Sequence, residues 1–183
     1  MPVDYGEKPI AHLPSKSLEL LPHQGHQNVS YGFENDGKKY VYKELRQDST
    51  DFSVLGPDPV KVAKASNLYY SLIRKHLGEQ IVDTQYLVAK DGRGKSTVVV
   101  IQPKIEGKSL LKIVQDGDGH DAVAMNNVVM EFDEKLRKVL DDPDFKSKFN
   151  QTEQGYFSKA AGDEVNLENV IQTPDKKYIL VDF

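Results

Sequence analysis

The C-terminal segment of the chain places two oxygen-bearing side chains at opposite ends of a short predicted hairpin. Asn169 and Asp182 are thirteen residues apart, and the strand-like runs 167–172 and 178–183 flank a turn at residues 173–176. Pairing of the two runs would bring Asn169 and Asp182 together. Carboxylate and amide oxygens are the ligands that Mg²⁺ prefers, completed by phosphate and water. We therefore predict a magnesium site formed by Asn169 and Asp182.

This arrangement resembles the catalytic core of protein kinases and of aminoglycoside-phosphotransferase-like kinases. In that superfamily the catalytic loop ends in an Asn, and a metal-binding Asp followed by Phe comes after the same interval. Asn169 and Asp182-Phe183 reproduce this spacing. The resemblance implies ATP and Mg²⁺ as cofactors and phosphoryl transfer to a hydroxyl acceptor, on a protein or a small molecule.

Two further segments fit the family in the expected order. Residues 40–45 resemble its third strand, in which an apolar alternation delivers a Lys, here Lys43, onto the nucleotide phosphates. Residues 98–110 resemble the hinge whose backbone holds adenine. The resemblance implies that Ile101 lies at the back of the nucleotide pocket and that Gln102 and Lys104 also contact the nucleotide.

The sequence departs from the family's pattern at several positions. In residues 24–32, where the family has a Gly-rich phosphate loop, only Gly25 and Gly32 are glycines, and Gly25 is the predicted phosphate contact. The helix predicted after Lys43 has no acidic residue between Val60 and His76, so it offers this Lys no carboxylate partner.

The residue that orients the acceptor hydroxyl is predicted at Asp163 or Glu164. Glu164 stands five residues before Asn169, where the family has an Asp, and Asp163 precedes it directly. Of the two, we favour Asp163. The His that the family has ahead of this position is missing here. A pseudokinase-like nucleotide-binding or protein-interaction module without catalysis is therefore the alternative function. An unrelated α+β interaction domain is a third hypothesis.

Two other segments are better explained as turns than as sites. Residues 92–96 suggest a P-loop, but that motif requires Gly where Ala89 stands and a helix where a strand is predicted. Residues 116–121 lack the later spacing and the Glu of a calcium-binding EF-hand loop. We predict a hairpin turn and a surface turn, respectively.

Bulk composition narrows the class of protein. The chain has no Cys, which excludes disulfides, thiolate zinc sites and a Cys nucleophile. The net charge of −4 gives no reason to expect nucleic acid or an anionic membrane as a partner. No signal peptide or membrane span is apparent, so we expect a cytoplasmic protein, with a secreted effector as the alternative. The sequence does not indicate an oligomeric state.

Hydrophobic periodicity and turn signals predict an α+β fold. The expected elements begin with two strands (28–33 and 39–45) about a turn at residues 35–37, followed by a polar loop (48–59) and one helix (59–78) capped by Asp58. Two more strands (84–88 and 97–102), one or two helices (120–149) and the final hairpin (167–183) come next. Residues 1–21 are predicted to be an irregular arm and 22–102 a kinase-like N-lobe of antiparallel sheet plus one helix. Residues 103–183 would be the hinge and a partial or minimal C-lobe, with a short helical segment and the catalytic-loop hairpin.

Overall fold

The chain forms a mixed α+β structure organised as two compact units. The computed structural model describes residues 19–20, 28–46, 48–90, 94–117 and 120–181. The first unit draws on Met1–Tyr70 and Asp83–Lys104, and the second on Ser71–Val82 and Ile105–Phe183. Gly25, Asp182 and Phe183 lie outside the described residues.

The first unit contains an antiparallel five-stranded sheet with the order β1-β2-β3-β5-β4. Its strands are β1 (Glu19–Leu20), β2 (Asn28–Asn35), β3 (Lys38–Leu45), β4 (Gln85–Lys90) and β5 (Ser96–Pro103). The predicted turn between β2 and β3 is confirmed, because Asp36 and Gly37 have φ of 50° and 73°. A two-residue hairpin turn requires such positive φ at both central residues.

Two helices follow β3. The predicted helix is confirmed as α2 (Pro59–Leu77), and the Asp58 carboxylate caps it by accepting a hydrogen bond from the Val60 N–H at 3.0 Å. The prediction of an unbroken polar loop before it is wrong, because α1 (Thr50–Leu55) forms there. Phe52 and Leu55 of α1 are buried, so burial of these two side chains outweighs the polar composition of the segment.

The second unit is mainly helical. It comprises the last turns of α2, a 3-10 turn (Gly78–Gln80), β6 (Lys108–Ser109), α3 (Leu110–Asp116), α4 (His120–Asp141), α5 (Pro143–Lys148), α6 (Gln151–Glu164), β7 (Val170–Gln172) and β8 (Tyr178–Leu180). The predicted helical region at residues 120–149 is thus confirmed as α4 and α5. The apolar positions Met125, Phe132, Leu136 and Val139 of α4 are buried, as their helical spacing predicts.

Helix α6 was not predicted from the sequence. Its apolar spacing is weak, and it contains Gly155 and Gly162, which lower helix propensity. Two features compensate for this. A capping box joins the side chains of Asn150 and Glu153 to each other's backbone N–H groups at 3.0 Å. Phe157 packs against Phe149 with ring centroids 4.9 Å apart.

A small antiparallel sheet with the order β6-β7-β8 completes the second unit. The predicted final hairpin is confirmed, with strands shorter than expected. The Val82 N–H donates to the Leu180 carbonyl at 2.9 Å, so part of the outer edge of β8 is also paired. Unpaired backbone groups are costly when buried, and Leu180 is fully buried.

A buried carboxylate links α2 to the α4–α5 junction within the second unit. Asp142 accepts hydrogen bonds from Lys75 Nζ at 2.8 Å and from the backbone N–H of Asp144 at 2.9 Å. Its Oδ2 also lies 2.9 Å from His76 Nε2. These contacts, that with Lys75 first, hold the pKa of Asp142 well below its ordinary value.

The lowered pKa makes the stability of the second unit depend on pH. In the unfolded chain the pKa of Asp142 is close to 3.8. Above that pH the Asp142 carboxylate contributes its full stabilisation of the folded state, and this stabilisation is lost progressively as the pH falls below 3.8 towards the lowered pKa of the folded state. Asp142→Asn keeps a helix-capping oxygen but removes the charge. We expect it to lower the free energy of unfolding more at pH 7 than at pH 3.

Urea unfolding at the two pH values measures this difference, and Asp141→Asn is the matched control. Asp141 is the neighbouring carboxylate, and its side chain is 83% exposed and paired with Lys146. Exposed ion pairs contribute little to stability, so the control should unfold like the wild type at both pH values. An Asp142→Asn effect that is equal at pH 7 and pH 3 would contradict the assignment.

Two helix N-termini offer a second test because their caps differ. The Ser49 hydroxyl before α1 is buried and has no hydrogen-bond partner among the described residues, whereas Asn150 makes the capping box of α6. We expect Asn150→Ala to lower the free energy of unfolding by about 1 kcal/mol. Ser49→Ala should change it by less than about 0.5 kcal/mol or raise it, since it removes a buried unpaired hydroxyl. Equal losses in thermal unfolding would refute this distinction.

Candidate functional site

Lys43 occupies the middle of the first unit's sheet. It lies on β3 between Ser30 of β2 and Val100 of β5, and its side chain is half-buried. Side chains alternate between the two faces of a strand, so Val41, Lys43 and Leu45 share one face. Directly paired residues also share a face, which adds Val100 and Gln102 to that of Lys43.

The opposite face of the sheet carries an apolar cluster. Tyr42, Ala89 and Val99 form its buried centre, and Tyr31, Phe33, Leu87 and Ile101 pack against them. The tyrosine rings of residues 31 and 42 lie 5.8 Å apart. Burial raises the pKa of Tyr42 to about 12, and the nearby Glu44 and Tyr31 add to the shift. Tyr42 therefore stays neutral and serves the packing of this face.

The register separates Ile101 from Lys43. Ile101 pairs with Tyr42 and belongs to the apolar cluster, whereas Val100 is the direct neighbour of Lys43. The expectation that the Ile101 side chain backs a pocket shared with Lys43 is therefore not met. The positions of β5 that share the face of Lys43 are Val100 and Gln102, and both side chains are buried.

Gln102 and Lys104 have different environments at the end of β5. Gln102 is buried, and its Nε2 donates to the hydroxyl of Thr84 at 2.9 Å. Lys104 follows the strand with an exposed side chain, and its backbone N–H donates to the Lys39 carbonyl at 2.8 Å. The Gln102 side chain is thus fixed, while the Lys104 ammonium can approach a solvent-borne ligand.

Asn169 stands at the start of the final hairpin in the second unit. Its backbone carbonyl accepts a hydrogen bond from the Val181 N–H at 2.9 Å, and Val170 pairs with Leu180 directly beyond it. Val181 is the residue before Asp182. The hairpin therefore brings Asn169 opposite the residue next to Asp182, although Asp182 itself lies outside the described residues.

Asp163 and Glu164 belong to a helix rather than to the loop in which the sequence suggested them. They form the last turn of α6, and the side chain of Asp163 is exposed. The structure describes only the backbone of Glu164. The helix persists through this point because the capping box and Phe157 stabilise it from its first turns onward.

The loop between α6 and β7 contains a residue that the sequence analysis did not select. Asn166 Oδ1 accepts hydrogen bonds from the backbone N–H groups of Glu168 at 2.8 Å and Asn169 at 3.1 Å. Its Nδ2 donates to the Asp163 carbonyl at 3.3 Å. Asn bonding to backbone two or three residues ahead is typical of turns, and this signal could have identified it.

The described residues contain no cluster of three His, Cys, Asp or Glu side chains that could hold a metal ion. A cation in this region would therefore depend on the Asn169 amide oxygen together with Asp182. Oxygen ligands of these two kinds suit Mg²⁺, which keeps several waters and is completed by substrate phosphates. The chemistry of the donor set thus fits magnesium.

Of the two motifs predicted to be turns, the structure bears only on the P-loop alternative. Strand β5 begins at Ser96, so residues 92–96 are followed by a strand and not by the helix that a P-loop requires. Residues 118 and 119 of the acidic segment lie outside the described part of the chain.

The chain matches no protein-family model, and no curated protein matches it. Across the described residues, no helix is long and apolar enough to cross a membrane.

The linker before β6 gives a test of how the hairpin strand β7 is held. Gly107 has a φ of +149°, and an added Cβ would overlap the carbonyl oxygen of Gln172 and the side chain of Ile171. We expect Gly107→Ala to lower the free energy of unfolding by about 1–3 kcal/mol, because both the backbone strain and the overlap oppose it.

Gly155→Ala is the matched control for this substitution. Gly155 lies inside α6, and nothing stands within 4 Å of an added Cβ. Replacing a helical Gly by Ala stabilises by roughly 0.5–1 kcal/mol. Chemical denaturation should therefore give shifts of opposite sign for the two variants, and a neutral Gly107→Ala would show that the close approach to β7 is not required.

Proposed function

We propose that the chain is an ATP- and Mg²⁺-dependent phosphotransferase of the protein-kinase-like superfamily that acts on a hydroxyl acceptor. The register of the β7–β8 hairpin carries the proposal. Kinases hold magnesium with an Asn that ends the catalytic loop and an Asp that follows a hairpin. Here the Val181 N–H bonds the Asn169 carbonyl, and Val181 is the residue before Asp182, which supports a metal site shared by Asn169 and Asp182.

The first unit supplies independent support. In protein kinases the phosphate-binding Lys lies on the third strand of an antiparallel sheet. Lys43 lies on β3, flanked by β2 and β5, and the long helix α2 follows before β4. Val41 lies on the same face of the strand, is half-buried, and would offer an apolar contact to a nucleotide base.

The proposed roles follow from the chemistry of each side chain. Lys43 would contact the phosphates, with Gly25 and Lys104 as further nucleotide contacts. Asn169 and Asp182 would hold Mg²⁺, which neutralises phosphate charge when bound. Asp163 or Glu164 would orient the acceptor hydroxyl and take the proton of that hydroxyl. The hydroxyl oxygen would then bond to the γ-phosphorus while the bond to ADP breaks and ADP leaves. The acceptor is a protein or a small molecule, and the cytoplasm, where ATP is abundant, is the expected compartment.

One observation favours a second function, a pseudokinase-like module that binds nucleotide or protein without turnover. In active protein kinases the strand Lys pairs with a Glu of the helix that follows. Helix α2 is the helix in that position, and none of its 19 residues is acidic. Helix α2 therefore cannot supply the carboxylate of that ion pair, and this departure from the active kinases is the observation that favours a module without turnover.

Calorimetric titration with Mg·ATP tests the nucleotide site. We expect the wild type to bind and Lys43→Ala, Asn169→Ala and Asp182→Ala each to weaken binding by about tenfold or more, roughly 1.4 kcal/mol. Lys39→Ala is the matched control for Lys43, since Lys39 is an exposed lysine on the same strand. Asn126→Ala, an exposed position of α4, is the control for Asn169. Both controls should bind like the wild type.

Turnover separates the two functions once binding is established. Release of ADP that depends on an added acceptor and falls in Asp163→Asn or Glu164→Gln would support the phosphotransferase. Binding without ADP release would select the non-catalytic module. A folded wild type that does not bind Mg·ATP would refute the phosphotransferase and the nucleotide-binding module, and would leave only protein binding.

A further inference from the structure

The loop from α6 to β7 is held by one side chain that reaches both of its functional ends. Asn166 Oδ1 receives the N–H groups of Glu168 and Asn169, and Asn166 Nδ2 donates to the carbonyl of Asp163. An amide side chain both donates and accepts, whereas a carboxylate only accepts and a hydroxyl is too short to span three residues in this way. These three contacts explain why an Asn suits this position.

Asn169 is consequently fixed on both sides of its Cα atom. Its N–H is shared between Asn166 Oδ1 at 3.1 Å and the Asn166 backbone carbonyl at 3.3 Å, and its own carbonyl accepts from the N–H of Val181 in the hairpin. Two residues before Asn169, the carbonyl of Leu167 accepts from the Leu111 N–H at 2.8 Å and ties the loop to α3. The Asn166 amide is therefore one of the groups that restrain the Asn169 backbone, from which its side chain projects.

We propose that Asn166 is a positioning residue. It would hold Asn169 in place relative to the Asp163 end of α6, and so raise the affinity of the chain for the metal that Asn169 ligates. The inference rests on the proposed function, because it assumes that Asn169 ligates the metal of a bound Mg·ATP. Asn166 itself touches neither metal nor nucleotide in this scheme. Groups that orient a metal ligand through a hydrogen bond typically affect metal affinity by 10–100-fold.

The Asn166 amide also determines which side-chain substitutions are tolerated. Asn166→Ala removes all three hydrogen bonds. Asn166→Asp keeps an acceptor for the N–H groups of Glu168 and Asn169 but loses the bond to the Asp163 carbonyl. If the acceptor half of the amide positions Asn169, the Asp variant should rescue the Ala variant.

The test measures Mg²⁺-dependent and Mg²⁺-free affinity for ATP on the full chain. For Asn166→Ala we expect the affinity for Mg·ATP to fall by about tenfold or more, with ATP affinity in EDTA changed by less than about twofold. Asn166→Asp should bind Mg·ATP within about threefold of the wild type. Amide hydrogen exchange at Glu168 and Asn169 should accelerate in Asn166→Ala and return towards the wild-type rate in Asn166→Asp.

Asn150→Ala is the matched control because it truncates an Asn at the other end of the same helix. It removes a comparable helix-end contact and so reproduces a loss of stability without touching the loop. We expect it to leave Mg·ATP affinity and the exchange of both loop amides unchanged.

Each outcome decides between the two proposals. Wild-type binding of Mg·ATP with no loss in Asn166→Ala, or with an equal loss in EDTA or in Asn150→Ala, would overturn the positioning role and leave the proposed function standing. A failure of Asn166→Asp to recover binding would likewise overturn it. A folded wild type that binds no Mg·ATP would overturn the proposed function, and this inference with it.

Discussion

Strand β3 pairs with β2 on one side and with β5 on the other, and this register determines which residues of the first unit can act together. Because side chains alternate along a strand, a shift of one residue would exchange the two faces of the sheet. The observed register places Tyr42 within an apolar cluster and leaves Lys43 on the opposite face, beside Val100. The apolar cluster also stabilises the register, since a slip by one residue would move Tyr42 out of it and place the Lys43 ammonium among aromatic rings. The packing of one face therefore fixes the position of the charged group on the other.

In the α6–β7 loop of the second unit, hydrogen bonds to the backbone restrain the residues. In the first unit, side-chain packing restrains the register of β3. The loop after α6 is short and polar, and Val165 is its one buried apolar residue. Its order comes from the Asn166 amide, from the bond between Leu111 and Leu167, and from the hairpin contact at Val181. Such bonds each contribute only about 1 kcal/mol, but they are directional, so they fix orientation more than they add stability. A metal ligand needs this kind of restraint, because its affinity depends on where its oxygen points.

The sequence predicted those parts of the fold that are encoded by neighbouring residues. Asp36-Gly37 specifies its hairpin turn through positive φ, and Asp58-Pro59 marks the start of α2 through a cap and a fixed φ. These signals act over two or three residues and do not need the rest of the chain. Helix α6 was missed because its stability comes from the capping box and from Phe149, outside the helix, and its own apolar spacing is weak. The Asn150-to-Glu153 spacing was the local signal that could have revealed it.

The site was predictable by residue type but not by face. Residues 98–101 of β5 are all apolar, so no alternation in the sequence shows which of them point towards Lys43. The pairing of β5 with β3 answers that question, and it is a long-range property. Asn166 was overlooked for a related reason, since its role lies in three backbone contacts and not in any motif.

Only some residues of the proposed site distinguish an enzyme from a binding module. Under the proposal, nucleotide binding with and without transfer would both use Lys43 and Asn169, because a nucleotide that binds with its metal requires phosphate and metal contacts in either case. Transfer adds one requirement, a carboxylate that orients the acceptor. Asp163 is exposed on the last turn of α6 and is joined through Asn166 to the backbone of Asn169. A change that alters this helix end would therefore affect the acceptor-orienting group and the metal ligand together, whereas the missing acid of α2 concerns Lys43 alone. If Asn169 ligates the metal as proposed, the Asn166 linkage places the proposed acceptor-orienting group and the proposed metal ligand under one restraint within the second unit.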